Sequence, residues 1–350
     1  MYIGIRRRNM SSTDEDKHDI DQHGGGGKDL LASKKECTSC EQNNIDNITE
    51  GINGMGVSDT STCASCGKEG NSDDMNICNK CKSVKYCNAA CKKKHRKKHK
   101  KACERRVAEL YDEKLFKEIE PEECPLCLLP LPLDGRQVTF ESCCGKRICD
   151  GCIYSMKMSE GGADLCAFCR TPNATTLDEH VKRTKSLTNK GNAEAYVQLA
   201  GHYADGVYGL PQDWNKAHEL YLKAGELGCA AGYFNLGTAY RDGIRGVESD
   251  KKKAKHYYEL AAIGGDIHAR HNLAGIEGQA GNYDRAKKHL LIAARAGSEK
   301  SLDAVKEGFT KELMTKDEYA NTLRAYHERQ KEMRSDARDK AAAADMFQID

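Results

Sequence analysis

Nothing in this 350-residue chain approaches the ~20 consecutive apolar residues that a membrane span requires. The stretch MYIGIRRRNM carries charge with no apolar run behind it, so no secretory leader is expected. Phenylalanine (six), proline (six) and tryptophan (one) are scarce, and the mean hydropathy is −0.73. A chain this polar does not bury enough to build one large core, so small modules held by another force are expected. There is no phosphate-binding P-loop, no GxGxxG after a strand, and no nucleophile paired with a base. Those absences exclude nucleotide-driven work, dinucleotide chemistry and covalent catalysis by the common routes.

Cysteine is plentiful, with eighteen, of which seventeen lie between Cys37 and Cys169. Without a leader, the expected setting is intracellular, cytoplasmic or nuclear, where thiols stay reduced and clustered cysteines bind metal. The chain then divides into a polar head, a cysteine-rich middle and a tail stabilised otherwise. Residues 1–61, with GGGG at Gly24–Gly27, read as a disordered tail. It contains Cys37 and Cys40, a lone CxxC read as two free thiols because a structural zinc site needs four ligands.

Residues 62–104 supply eight donors in four pairs. Cys63-x2-Cys66 and Cys78-x2-Cys81 are tight turns that can aim two sulfurs at one ion. Cys87-x3-Cys91 and His99-x3-Cys103 project from one face of a helix, a turn apart. His95 competes with His99, and the i, i+4 spacing to Cys103 favours His99. This order resembles the MYND zinc finger, and Lys85-Tyr86-Cys87 matches that family too. By that resemblance, Cys63, Cys66, Cys87 and Cys91 hold one zinc, while Cys78, Cys81, His99 and Cys103 hold a second. The family implies a protein-interaction module for short, often proline-containing peptides; the SET motifs that accompany some members are missing. The basic run KKKHRKKHKK would lie on the ligand-bearing helix, offsetting the negative charge of a thiolate-bound zinc. Helical spacing of Val107, Leu110, Tyr111, Leu115 and Ile119 then predicts a connecting helix over 105–121, packed on one finger or both, with Pro121 as its breaker.

Residues 122–172 offer eight more donors: Cys124-x2-Cys127, Cys143-Cys144, Cys149-x2-Cys152 and Cys166-x2-Cys169. Their order resembles a RING finger, which implies that Cys124, Cys127, Cys149 and Cys152 share one zinc and Cys143, Cys144, Cys166 and Cys169 the other. The module departs from the family where Lys146 stands at a histidine ligand position. Lysine is protonated near neutrality and ligates zinc poorly, so Cys143 takes the place and the module is RING-like. In active members of that family, Leu126, Arg170 and Pro172 match positions that touch a ubiquitin-conjugating enzyme. Four zinc ions in all are expected, and fifteen thiolates would turn the formal net charge of +2 negative.

From about residue 191 the chain repeats itself. Leu199, Leu236 and Leu273 are 37 residues apart, as are Gly191, Gly228 and Gly265, and Gly297 follows after a shorter loop. Asp205-Gly206 and Asp242-Gly243 mark a turn inside each helix–turn–helix unit. The pattern resembles Sel-one-like repeats, relatives of the tetratricopeptide repeat, so residues 173–312 are expected to form an α-solenoid. Val181 and Leu187 suit an incomplete leading repeat, and Cys229 an inert core thiol. Trp214, Tyr203 and Tyr240 read as repeat packing. Residues 313–350 read as a capping helix and tail, opened by the capping box Thr315–Glu318 with Tyr319, Leu323, Tyr326 and Met333 on one stripe. The tandem order resembles that of predicted proteins of diatoms and related algae.

The fold expected is thus mainly α, an α-solenoid preceded by two small zinc-stabilised cross-brace modules and the disordered tail. The function expected is a zinc-binding adaptor or scaffold, its MYND finger taking one peptide and its repeats a second protein partner. The alternative is a RING-type ubiquitin ligase that positions a charged conjugating enzyme and has no nucleophile of its own. No specific nucleic acid and no membrane are expected as partners. The basic run lacks the aromatic interleaving of a base-stacking surface.

Overall fold

The computed structural model describes residues 60–159 and 164–346. The tail, with Cys37 and Cys40, lies outside the described residues apart from its last two positions. Those two belong to the first finger: β1 (Thr60–Thr62) pairs antiparallel with β2 (Glu69–Asn71). A second hairpin joins β3 (Asn76–Ile77) to β4 (Lys85–Tyr86), and in the second finger β5 (Val138–Phe140) pairs with β6 (Arg147–Cys149). Strands of two or three residues are marginal by themselves. Here sulfur lies at the centre: Cys63, Cys81 and Tyr86 are 1–2% exposed in the first finger, and Cys124, Ile148, Cys149 and Cys166 are 0–1% exposed in the second.

Helix α1 (Ala89–Leu115) corrects the expectation of a separate connecting helix. It runs unbroken for 27 residues from the first finger, and its end packs on the repeats. Its continuity follows from a run of Lys, Arg, Ala and Glu without glycine or proline. The chain then passes through the second finger, whose helix α2 spans Asp150–Lys157.

The repeats open with α3 (Leu177–Asn189) and continue as α4 (Ala193–Asp205), α5 (Trp214–Glu226), α6 (Ala230–Asp242), α7 (Lys251–Ile263), α8 (Ile267–Gln279) and α9 (Tyr283–Arg295). Side chains of Asn192, Asp213, Asp250 and Asp266 cap helix starts by accepting backbone N–H groups. Gly206 and Gly243, both at φ 63°, end α4 and α6 in the left-handed region. Alanines 200, 204, 217, 224, 254, 261 and 262 are at most 1% exposed and let the helices approach closely, with Leu199, Leu236 and Leu273 between them. Tyr203 and Tyr240 each carry a lysine over the ring, Lys216 at 4.5 Å and Lys253 at 4.9 Å, so this packing recurs with the 37-residue period.

Helices α10 (Glu299–Thr310) and α11 (Lys316–Glu332) cover the end of the array, Tyr319, Leu323 and Tyr326 packing near Leu302 and Val305. Thr315 and Glu318 form the reciprocal capping box. The C-terminal stretch then differs from a single cap and tail. It turns at Met333–Ser335 into α12 (Asp336–Met346), which returns to pack along α2. Among the described residues, no helix is long and apolar enough to cross a membrane.

Arg270, 1% exposed, ties α1 to the repeats. Its guanidinium donates to the carbonyls of Leu115 (2.5 Å), Lys117 (2.8 Å) and Ala262 (3.1 Å). Leu115 is fully buried in the repeat core, and the Phe116 ring lies 4.8 Å from that of His289, tilted by 44°. Tyr111 donates to Glu259 at 2.8 Å, and Arg285 holds both oxygens of Asp112 at 2.7 Å. Fully buried Glu277 is held by Asn282, Lys255 and Arg285 at 2.7–3.1 Å.

Two predictions follow from this packing. A Cβ on Gly232 would lie 2.3 Å from the Tyr221 carbonyl oxygen, whereas one on Gly275 meets nothing within 4 Å. Gly232→Ala should therefore destabilise the array by about 1–3 kcal/mol through overpacking. Gly275→Ala, on an exposed helical position, should stabilise it by about 1 kcal/mol; urea denaturation followed by circular dichroism reads both. The second concerns acid. Burial holds His202 and His289 at about 3, against an ordinary 6.5. The folded state refuses protons that the unfolded chain accepts, so stability is full above pH 6.5 and falls as pH drops from there toward 3. His289→Leu should show a shallower loss between pH 7.5 and 5.5 than the parent chain, measured as urea midpoints on zinc-loaded protein.

Candidate metal centres

Four turns of the same design carry the CxxC pairs at Cys63, Cys78, Cys124 and Cys166. In each, the residue after the second cysteine has a left-handed backbone: Gly67 at φ 75°, Lys82 at 54°, Leu128 at 59° and Arg170 at 60°. Its N–H donates back to the first cysteine's carbonyl at 2.9–3.0 Å. The turn curls both sulfurs toward one point, and three non-glycine residues adopt a conformation that is uncommon outside tight turns. Arg170 therefore stands where the turn, as well as any partner, constrains it.

Helix α1 supplies the remaining donors of the first finger. Asn88 caps it by accepting the Cys91 N–H at 2.9 Å, which sets Cys91 in the first turn beside Cys87. Eight residues on, about 12 Å along the axis at the α-helical rise, His99 and then Cys103 face the other cluster. His99 Nε2 lies 3.2 Å from Cys81 Sγ, whereas His95 meets the Tyr86 hydroxyl at 3.3 Å. His99 and Cys103 are buried while lysines 93, 94, 97 and 98 are exposed, so the basic run is a solvated face. Lys92 reaches the Ile77 carbonyl and Asn79 at 3.0–3.1 Å.

In the second finger, β6 ends at Cys149, which opens α2 and places Cys152 a turn later. Gly145, at φ 70°, makes the adjacent pair Cys143-Cys144 possible by reversing the chain directly after it. Lys146 Nζ lies over the Phe168 ring at 5.8 Å.

Four tetrads result: Cys63, Cys66, Cys87 and Cys91; Cys78, Cys81, His99 and Cys103; Cys124, Cys127, Cys149 and Cys152; Cys143, Cys144, Cys166 and Cys169. Within each, all donor atoms lie within 4.8 Å of one another. Sulfur–sulfur distances run from 3.3 Å (Cys143–Cys169) through 3.5–3.6 Å (Cys87 to Cys91 and Cys66) to 3.8–3.9 Å (Cys78–Cys103, Cys127–Cys149, Cys124–Cys152, Cys144–Cys166). A tetrahedron with Zn–S bonds near 2.3 Å has edges of about 3.8 Å. Four of the seven distances lie within about 0.1 Å of that edge, and all exceed a disulfide's ~2.05 Å; all these cysteines are free thiols.

Proton chemistry points the same way. The Cys87 backbone N–H holds the Cys63 thiol down at about 6, while donation to Cys91 and Cys66 pushes Cys87 up to about 12. Burial opposes ionisation of Cys81, but the Ser83 hydroxyl, 3.0 Å from its sulfur, helps hold it at about 6; burial pushes Cys103 up to about 11. Burial also pushes Cys144 up to about 12, against about 7 for Cys169, whose sulfur lies 3.2 Å from the Thr171 hydroxyl. One thiolate in such a group discourages its neighbours, so full deprotonation needs a cation among them. With all four positions filled by protein, none is open for a reacting water, which suits a structural centre.

Of the conjugating-enzyme contact positions, Leu126 and Arg170 line one groove of about 530 Å³ on the second finger, while Pro172 is not among its lining residues. Sequence reasoning missed some supporting residues. Ser83 and Thr171 were legible in principle, each two places after the second cysteine of a pair. Arg338, against Cys127 from 211 positions away, carried no sequence signal.

Residues 63–103 match the family model of the MYND finger. Residues 193–229, 230–266 and 268–298 each match that of the Sel1 repeat. Among solved structures, the chain is similar to a Sel1 repeat protein from Oxalobacter formigenes, at 21% identity over 51% of this chain and 70% of that one, with a TM-score of 0.40. It is also similar to a protective antigen with an SLR fold from uropathogenic Escherichia coli, at 22% identity over 42% and 33%, with a TM-score of 0.37. The chain carries a MYND zinc finger and, after it in sequence, three Sel1 repeats, both of them protein-interaction modules.

Proposed function

We propose that each tetrad holds one zinc ion through the residues named above, and that the chain is a rigid adaptor. The MYND finger takes a short peptide, the repeats a second protein, and the setting is a thiol-reducing one, cytoplasmic or nuclear. The observation that carries this reading is α1. The same helix bears Cys91, His99 and Cys103 within its first fifteen residues and buries Leu115 in the repeat core at its end. Two interaction modules joined by one unbroken helix hold their partners at a set distance, which is what a scaffold requires. Zinc here supplies folding free energy to modules whose buried centres are sulfur.

The RING-like reading of the second finger rests on its interleaved tetrads, and the ligase alternative on Leu126 and Arg170 beside the groove. Two features weigh toward the scaffold. Arg170 Nη1 lies 2.8 Å from the Met156 sulfur, toward the groove's own wall, and Ser335 and Ala337 beside the start of α12 line that groove too.

Native mass spectrometry should find four zinc ions on the intact chain, three after Cys143→Ser, and four after Lys146→Ala. In a discharge assay, zinc-loaded protein should leave the rate of ubiquitin release from a panel of charged conjugating enzymes unchanged. Acceleration that Arg170→Ala abolishes would establish the ligase instead. Binding of proline-containing peptides to the zinc-loaded chain, lost on chelation, is the positive outcome for the adaptor.

A further inference from the structure

The C-terminal helix returns across more than 200 residues of sequence to meet the second finger, and one side chain makes most of the polar contact. Arg338 is 8% exposed. Its guanidinium donates to the carbonyls of Pro130 (2.7 Å), Met333 (2.6 Å) and Leu129 (3.4 Å), and Nη2 lies 3.5 Å from Cys127 Sγ. The approach is close enough to require glycine opposite: a Cβ on Gly151 would lie 2.7 Å from both the Arg338 backbone nitrogen and its Cγ. Gly151 sits between Cys149 and Cys152, so α12 is seated directly on the turn that presents two of the four sulfurs.

The charge balance of this tetrad gives the contact its meaning. Cys124 and Cys149 are 0–1% exposed, so four thiolates around a dication would form a buried net anion. At the other tetrads the polar contacts include neutral groups: Ser83 on Cys81, Asn88 on Cys87 at 3.4 Å, and Thr171 on Cys169. Here a full positive charge, nearly out of solvent, stands beside the sulfur. Burying a guanidinium costs free energy unless its donors are matched; three carbonyls and the Cys127 sulfur meet Nη1 and Nη2, and only Nε is left without a partner.

We propose that Arg338 is a positioning residue for the Cys124/Cys127/Cys149/Cys152 centre, so that zinc there and docking of α12 on the finger are reciprocally linked. The proposal rests on the reading that this tetrad binds zinc. Zinc would fix the Cys127 sulfur, and with it the turn that carries the Leu129 and Pro130 carbonyls, where the Arg338 fork meets them; by linkage, seating Arg338 strengthens zinc binding by the same factor. Ser335 and Ala337 line the groove that Leu126, Met156 and Arg170 also line, so loss of this one ion would remove a wall of the finger's exposed groove. The second finger is then a metal-dependent latch for the C-terminus.

The test uses the intact zinc-loaded chain and a chromogenic zinc chelator. Arg338→Ala should accelerate release of one zinc ion about 10–100-fold, the range seen on loss of outer-shell partners, and leave the others at the parent rate. Arg338→Lys, which keeps charge but loses the fork, should fall between. In the parent chain, hydrogen–deuterium exchange over residues 336–344 should rise on removal of that ion. Equal release rates in all three proteins, or α12 protection indifferent to the metal, overturn the proposal. Native mass spectrometry of Cys149→Ser separates the two failures. An unchanged zinc count removes the metal reading itself, while a loss of one ion with a silent Arg338→Ala removes only the latch. If Arg338→Ala does not fold, the lysine variant and the exchange measurement still decide the matter.

Discussion

A guanidinium buried among alanines and leucines is costly unless acceptors meet it, and at Arg270 three carbonyl oxygens accept from Nη1 and Nη2, two of them at and just past the end of α1. Those carbonyls would otherwise be orphaned, because the last turn of any helix has no internal partners. Each side of the contact thus satisfies a need of the other, and removing either would leave a desolvated polar group. The orientation of the first finger relative to the repeats depends on this junction. Around it lie Asp112 with Arg285, Tyr111 with Glu259, and Phe116 with His289, so the junction has direction as well as apolar area.

The fingers meet a different constraint. Each has a centre made of sulfur and a few side chains such as Tyr86 or Ile148, and strands too short to persist unaided. On the proposed reading zinc supplies what such centres lack, which makes the chain's composition intelligible. A polar, alanine-rich sequence builds a long repeat array by close helix packing, and it builds compact fingers by coordination. Neither solution needs the large aromatic core that the sequence lacks. The basic face of α1 fits this economy, since lysines beside thiolate-bound metal lower the cost of gathering negative charge.

The repeats were the most legible part of the chain, because a 37-residue period repeats the same local physics: an Asp or Asn at a helix start, a glycine at a left-handed end, a leucine inside. Donor order was legible for the same reason. CxxC turns and i, i+4 pairs are local geometry, and His99 could be set above His95 on spacing alone. The adjacent pair Cys143-Cys144 could be read once Lys146 was seen to be a poor ligand. The connecting helix was half read: Val107 packs on the first finger as expected, whereas Tyr111 and Leu115 pack on the repeats, and nothing in Val107–Ile119 says where its apolar stripe changes surface. Its side chains fit either surface, and the choice was made by Arg270 and Arg285, more than 150 positions away.

What the amino-acid order determined by itself was every element whose cause is near in sequence: the caps, the turns, the ligand pairs and the repeat period. What only the tertiary structure decided was which of these meet. The seating of α12 on the second finger and of α1 on the repeats joins residues separated by 150 to more than 200 positions, each contact depending on shape and on donors matched to acceptors. Such matches leave no period or motif in a single chain, because an arginine or a glycine looks the same in sequence whether it faces water or closes a junction.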